Sequence, residues 1–378
     1  MNATEVVRRR FRGSGARLPA QTLESIVKRL AKILAGTLVV SVAASGAQAG
    51  SAYIPEGSAG DVLVIDTATD AIVGRIAGLP DVHGLGGAAG VRYLVAGSFA
   101  ETAAGEMPTV ATPAGVTEDE HASHHGADAR AASSAGGAVS ILTIINAADG
   151  SPIRRLEVPG GVHHVAVSPD GKYAVATHPN ADGISVVDLM DLTVRGLVRT
   201  GPMPNYAAFS PDGAKVYVSN SGNGTVSEID SSRWFVQRNL LAGDKPEHLV
   251  LAPDGRMLYV ANVEAGTVSA LAIEQGQIAN SFSVGGELHG LDISDDGETL
   301  FVSGKGENKL TAIDLKSGSM RSAPLGPDPY HLAVIRGMGK LYVSSREEPK
   351  VWVVDEASLT PRGTIAISGE GHQMVVLP

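Results

Sequence analysis

A repeat of about 42 residues, hairpins marked by Pro-Asp-Gly, and two terminal fragments that complete one further repeat predict an all-β fold, a seven-bladed β-propeller. Each repeat opens on a turn and an apolar strand. A hairpin follows: Ser168-Pro169-Asp170-Gly171, Ser210-Pro211-Asp212-Gly213, Ala252-Pro253-Asp254-Gly255, or the variant Ser294-Asp295-Asp296-Gly297. The second strand is Val216-Tyr217-Val218-Ser219-Asn220, Leu258-Tyr259-Val260-Ala261-Asn262, Leu300-Phe301-Val302-Ser303 or Leu341-Tyr342-Val343-Ser344. A polar turn leads to the third, as in Gly224-Thr225-Val226-Ser227 and Gly266-Thr267-Val268-Ser269, and a more variable fourth closes the unit. Short β-branched and aromatic runs punctuated by Gly, Asp, Asn and Pro are strands joined by tight hairpins. Four of them per ~40–45 residues make a propeller blade, which buries both faces only between neighbours around an axis.

In chain order, residues 1–49 stand outside the repeat and read as an export signal. Eight basic side chains precede the apolar run from Ile33 to Ala44, and Ala47-Gln48-Ala49 is a small-residue cleavage site. The run is shorter than the ~20 apolar residues that span a bilayer. The mature chain, 50–378, is therefore expected in the periplasm without a membrane span. Loss of the segment takes 8 of 30 basic and 2 of 40 acidic side chains, leaving 22 against 38 and a net charge of −16. That surface argues against nucleic acid, whose phosphates call for Lys and Arg.

Full units fall at 82–160, 161–201, 202–243, 244–286, 287–327 and 328–369. Ser51–Asp81 supplies three strands of a seventh, and Glu370–Pro378 its innermost strand, so that the two ends close the ring in one sheet. The first full unit carries an insertion at 99–136, between its second and third strands. It is rich in Ala, Gly, Thr and Ser and poor in large apolar residues, the composition of a mobile segment.

The chain has no cysteine, which excludes thiolate zinc sites, iron–sulfur clusters and cysteine nucleophiles. A metal would be held by His, Asp and Glu. Neither HExxH nor G-x-S-x-G occurs, and no acyl-transfer constellation stands out, so the expectation is a chain without enzymatic activity. The glycine-rich run from Gly84 to Gly90 falls within a blade and is not a dinucleotide fingerprint.

Eleven histidines are unevenly placed. His83, His163, His164, His248, His289, His331 and His372 all fall at the start of innermost strands. His164, Tyr206, His248, His289, His331 and His372 succeed one another at 42, 42, 41, 42 and 41 residues. Innermost strands line the central channel, so these imidazoles are expected to ring one mouth of it. Side chains alternate along a strand, so two to four of them can converge. Asp81, Glu247, Glu287, Asp328 and Glu370 precede them, and imidazole with carboxylate suits zinc. The opposing reading is that each histidine bonds the backbone at its turn and repeats with the blade. In the insertion, Glu118–Asp128 holds His121, His124 and His125 among carboxylates, a composition that suggests a metal-capturing arm.

The Val-Tyr-Val-Ser-Asn and Leu-Tyr-Val-Ala-Asn strands, each followed by Gly-Thr-Val-Ser, resemble the YVTN-type β-propeller repeats over most of 51–378. An exported propeller with a His- and acid-rich arm is similar, within that group, to the periplasmic zinc metallochaperones of Azt zinc-uptake systems. That resemblance implies Zn2+ as ligand, with His83, His164, His248, His289, His331, His372, His121, His124 and His125 as candidate ligands. It implies as partner the zinc-binding solute-binding protein of an ABC transporter. The alternatives sharing the fold are haem d1-type or quinoprotein-like propellers with a cofactor at the channel mouth, lactonase-like hydrolases, and a surface interaction module.

Overall fold

A computed structural model describes residues 50–103 and 137–378. Seven antiparallel sheets, each of four main strands, form a seven-bladed β-propeller. The closing blade joins the strands Ser51–Pro55, Asp61–Asp66 and Ala71–Ala77 to the C-terminal strand Val375–Leu377, with Tyr53 opposite Val375. Six further blades follow at 82–159, 165–199, 204–241, 246–283, 288–324 and 329–366. Within the first of these, the two-residue strand Thr102–Ala103 at the start of the insertion pairs with Ala138–Asn146. Among the described residues no helix is long and apolar enough to cross a membrane.

The hairpins follow from their sequence. In Ser168-Pro169-Asp170-Gly171 the Asp170 carboxylate accepts from the Ser168 hydroxyl and the Lys172 N–H, and Gly171 takes φ 69°. Gly213, Gly255 and Gly297 adopt the same left-handed conformation, which a side chain would strain. In the next strand alternate residues enter opposite interfaces. Val216 and Val218 pack against Val175, Ile184 and Val186 of the preceding blade, while Tyr217 joins Leu249, Leu258 and Val260 of the following one.

The core is a ring of seven such clusters, one per pair of adjacent blades. The cluster of Tyr53, Val62 and Ile76 with Leu85, Leu94 and Ile145 joins the closing blade to blade 1. Burying a Val, Leu or Ile side chain contributes about 1.5–3 kcal/mol, so every interface is worth several buried side chains and none can open alone cheaply. Hydroxyls strap the blades as well. Thr177, Ser219 and Ser303, each on a second strand, donate to the carbonyls of Asn205, Glu247 and Tyr330 at the start of the next blade.

Candidate metal centre

Those straps set the register of the channel mouth. Thr177 and Ser303 also accept from the N–H of His164 and Gly290, and Ser219 from that of Tyr206. His164, Tyr206 and Gly290 are thus equivalent. His248 and His331 join them, each two residues past the first paired residue of its strand, Pro246 and Pro329. One residue earlier, a second tier holds Asn205, Glu247, His289 and Tyr330. The ladders slip between Pro246 and Leu249, Leu288 and Leu291, and Pro329 and Leu332. These bulges break the strict alternation of side chains and re-aim those at the mouth.

The outcome is a cluster of three imidazoles from blades 4, 5 and 6. One ring nitrogen from each of His248, His289 and His331 lies within 4.8 Å of the others, and all three residues are buried. His289 Nε2 is 3.4 Å from His331 Nε2, and His248 Nε2 has no hydrogen-bond partner. Gly290 makes this possible: a Cβ there would meet the Tyr330 carbonyl at 2.6 Å and the Leu332 N–H at 2.7 Å. Without a side chain, blade 5 closes on blade 6, and His289 stacks on Tyr330 at 3.7 Å and 12°. Among the described residues this is the one group of three or more His, Asp or Glu with ligand spacing.

The rings are neutral. Burial holds His248 down at about 3, and His163 nearby further disfavours a second charge. Burial and neighbouring imidazoles push His289 and His331 well below the usual histidine range. Neutral imidazole is the metal-binding form, so the cluster needs no proton release to bind a cation. Burial raises the Tyr330 hydroxyl to about 12, so it stays protonated. The Arg346 guanidinium lies 5.1 Å from the Tyr330 ring centroid, and its charge helps keep His83, His289 and His372 neutral.

The other candidates do not share the ligand spacing of this cluster, although the His372 ring centroid lies 6.0 Å from that of His331. His83 sits with ring centroids 4.0 Å from His372 and 4.8 Å from His163. His83 Nε2 and His372 Nδ1 are buried without partners, and His163 Nδ1 faces the Asn205 carbonyl at 3.2 Å. The His164 ring is tilted at 34° against that of Tyr206, whose far neighbour is His248, at 4.7 Å between centroids. His178 is buried against Ser185 at 2.8 Å. Of the carboxylates, Glu370 comes within 3.7 Å of His372 Nε2, while Glu287 pairs with Lys305 and Glu247 is raised by burial. None joins the three imidazoles. His121, His124 and His125, with the rest of the arm, lie outside the described residues. Tyr330, Gly290 and Arg346 were not singled out by the repeat. Tyr330 and Gly290 had a signal in the His-Gly and Tyr-His pairs that shift the register, and Arg346 had none.

Comparison with known proteins places this geometry on a widely used scaffold. The family described as "Lactonase, 7-bladed beta-propeller" matches residues 173–290, under a third of the chain. No curated protein sequence matches. Among solved structures, a functionally unknown protein from Desulfotomaculum acetoxidans aligns with a TM-score of 0.67 at 16% identity, covering 87% of this chain and 99% of its own. The periplasmic gluconolactonase of Pseudomonas aeruginosa gives 0.65 at 16% identity over 87% and 99%. Hydrazine synthase of Kuenenia stuttgartiensis gives 0.61 at 14% over 84% and 99%. At these identities the solved structures establish the fold. The match to a family of lactonases overturns the expectation of a chain without enzymatic activity. The expectation failed because it sought a serine or zincin motif, and a propeller assembles its site from single residues of separate blades.

Proposed function

We propose that the chain is a metal-dependent hydrolase of lactones, with His248, His289 and His331 holding a divalent cation, zinc by donor preference, at the channel mouth. The observation that carries this reading is the meeting of three buried, neutral imidazoles from three blades within 4.8 Å. Three protein nitrogens with an open fourth position are the pattern of a catalytic zinc site. When bound, the ion would supply Lewis acidity toward a lactone carbonyl and its attacking water. The chain's own groups do the rest. His289 is oriented by its stack on Tyr330, and the protonated Tyr330 hydroxyl is a hydrogen-bond donor. Arg346 brings positive charge to the mouth, which favours the carboxylate product of ring opening.

The test is metal analysis of the purified protein beside hydrolysis of gluconolactone and related lactones. His248→Ala and His331→Ala are expected to lose the ion and the activity together. Lactone hydrolysis that survives both substitutions and exhaustive chelation would overturn the assignment. Delivery of the same zinc to a solute-binding protein in the periplasm is a further role that rests on the sequence resemblance alone. Direct transfer to that acceptor in the presence of a competing chelator would support it, and transfer only through free metal would remove it.

A further inference from the structure

Where the second strand of a blade turns into its third, blades 3 and 4 carry an uncharged polar ladder. In blade 3 the Asn220 amide donates to the hydroxyls of Thr225 at 3.0 Å and Ser227 at 2.9 Å, and Ser227 donates to Asn239 at 2.8 Å. In blade 4 Asn262 donates to Thr267 and Ser269 in the same way. The closing blade puts charge in these places. Glu56 stands opposite Asp61 as Asn220 stands opposite Thr225, and Leu63 pairs with Arg75 as Ser227 pairs with Asn239.

Arg75 Nη1 donates to both carboxylates, at Glu56 Oε2 and Asp61 Oδ2. Glu56 is 0% exposed and Asp61 7%. The two carboxyl groups lie within hydrogen-bond reach of each other, and Asp61 Oδ1 is buried without a donor. Two carboxylates on one guanidinium leave a negative charge uncompensated inside the fold. One proton shared between them removes it and completes the hydrogen bond.

The cluster clasps the chain that closes the ring. The Ser368 N–H donates to Glu56 Oε1, and Arg75 Nη2 donates to the Ser368 hydroxyl at 3.2 Å. Gly369 lies so close that a Cβ there would meet the Glu56 carbonyl at 2.5 Å. From here the chain runs through Glu370 and His372 to the strand Val375–Leu377, which pairs with Ser51–Tyr53.

We propose that Glu56, Asp61 and Arg75 form a proton-operated latch on the closure of the ring. With one proton shared by the two carboxyls the segment from Ser368 to the C-terminal strand is held; loss of that proton loosens it. Burial pushes Glu56 above the usual carboxylate range and the neighbouring Asp61 adds to the shift, while the Ser368 N–H and the Arg75 charge oppose it. A folded value above the unfolded 4.5 gives stability that is complete below pH 4.5 and is lost as pH rises through the folded value. The other titratable groups beside this hairpin are His372 and Glu370, which reach it at Gly57. Burial holds His372 at about 4, so it stays neutral across that window. The Glu370 side chain is 55% exposed, and water and salt screen its charge.

The experiment is hydrogen exchange of the intact protein, read by mass spectrometry over 366–378, corrected for the intrinsic rate and referred to blade 4. From about pH 5 to about pH 8 the protection of that segment in the parent is expected to fall at least about threefold relative to blade 4. Glu56→Gln keeps an acceptor for the Ser368 N–H and carries a fixed donor toward Asp61. It is expected to hold the protection at pH 8 and to raise the urea midpoint above that of the parent there. Asp61→Asn neutralises the other partner and is expected to do the same, which keeps the test open should the first variant fold poorly. Protection in the parent that does not fall between the two pH values, or a fall that a folded variant retains in full, would overturn the proposal.

Discussion

Replacing His178 with Asn isolates what one buried imidazole does to this fold in acid. His178 is 0% exposed, with Nε2 at 2.8 Å from the Ser185 hydroxyl and Nδ1 at 3.4 Å from the Gly161 carbonyl. Two blades downstream use Asn at the same position: Asn220 and Asn262 donate to Ser227 and Ser269 at 2.9 Å. Asn is therefore a native solution here, and His178→Asn should change stability at pH 7 by less than about 1 kcal/mol. Burial holds the folded His178 at about 4, against 6.5 for the free side chain. Between these values the unfolded chain binds more protons than the folded one, so stability falls as pH drops from 6.5 toward 4. From pH 7 to pH 5 that loss is about 2 kcal/mol for this residue alone. Urea unfolding followed by the fluorescence of Trp234 and Trp352 reads it directly. At pH 5 the Asn variant should exceed the parent by about 2 kcal/mol more than at pH 7. An equal difference at both pH values would refute the reasoning, because His178 would then titrate alike in both states.

Zinc affinity should change less than about threefold between pH 7.5 and 5.5, because buried neutral imidazoles present no proton to displace in that window, and a competition titration showing a tenfold fall would contradict it. Gly290→Ala should lower zinc affinity together with stability, since its Cβ meets backbone atoms of blade 6 at 2.6 and 2.7 Å; unchanged zinc binding would show that the approach of the two blades does not build the site. Gln373→Leu should destabilise the fold by about 3 kcal/mol or more by leaving the Leu85 and Val165 backbone groups unpaired, measured by urea midpoint. Removing 370–378 should open the ring, seen as loss of cooperative unfolding and of the interface between the closing blade and blade 1.

The blades were legible because their signals are local. Pro-Asp-Gly fixes a hairpin through one side-chain oxygen and one left-handed glycine, and alternation in Val216-Tyr217-Val218 assigns each residue to an interface. The closing blade was legible too, since the strands of 51–81, Asp61-Val62-Leu63-Val64-Ile65-Asp66 among them, make three of four and lack an innermost one until the C-terminal strand pairs with Ser51–Pro55. The lactonase-like reading was legible only as an alternative, because nothing local announces a cluster spread over three blades.

Which histidines meet was not legible, and the reason is a matter of register. Spacings of 42 and 41 set His248, His289 and His331 in one series as though equivalent, but they occupy two tiers. In blade 5 the place held elsewhere by His248 and His331 belongs to Gly290, and His289 stands where blade 4 has Glu247 and blade 6 has Tyr330. A strict alternation would send His289 away from its neighbours. The bulge at the start of the strand and the missing Cβ of Gly290 bring it back, and neither leaves a mark in a repeat length. The two readings open from sequence, ligand or backbone clamp, then divide by what the next blade presents. His163 meets the carbonyl of Asn205, whereas His289 meets the imidazole of His331 and joins the three-imidazole cluster. The same residue type at the same turn takes either role, and the neighbouring blade decides which.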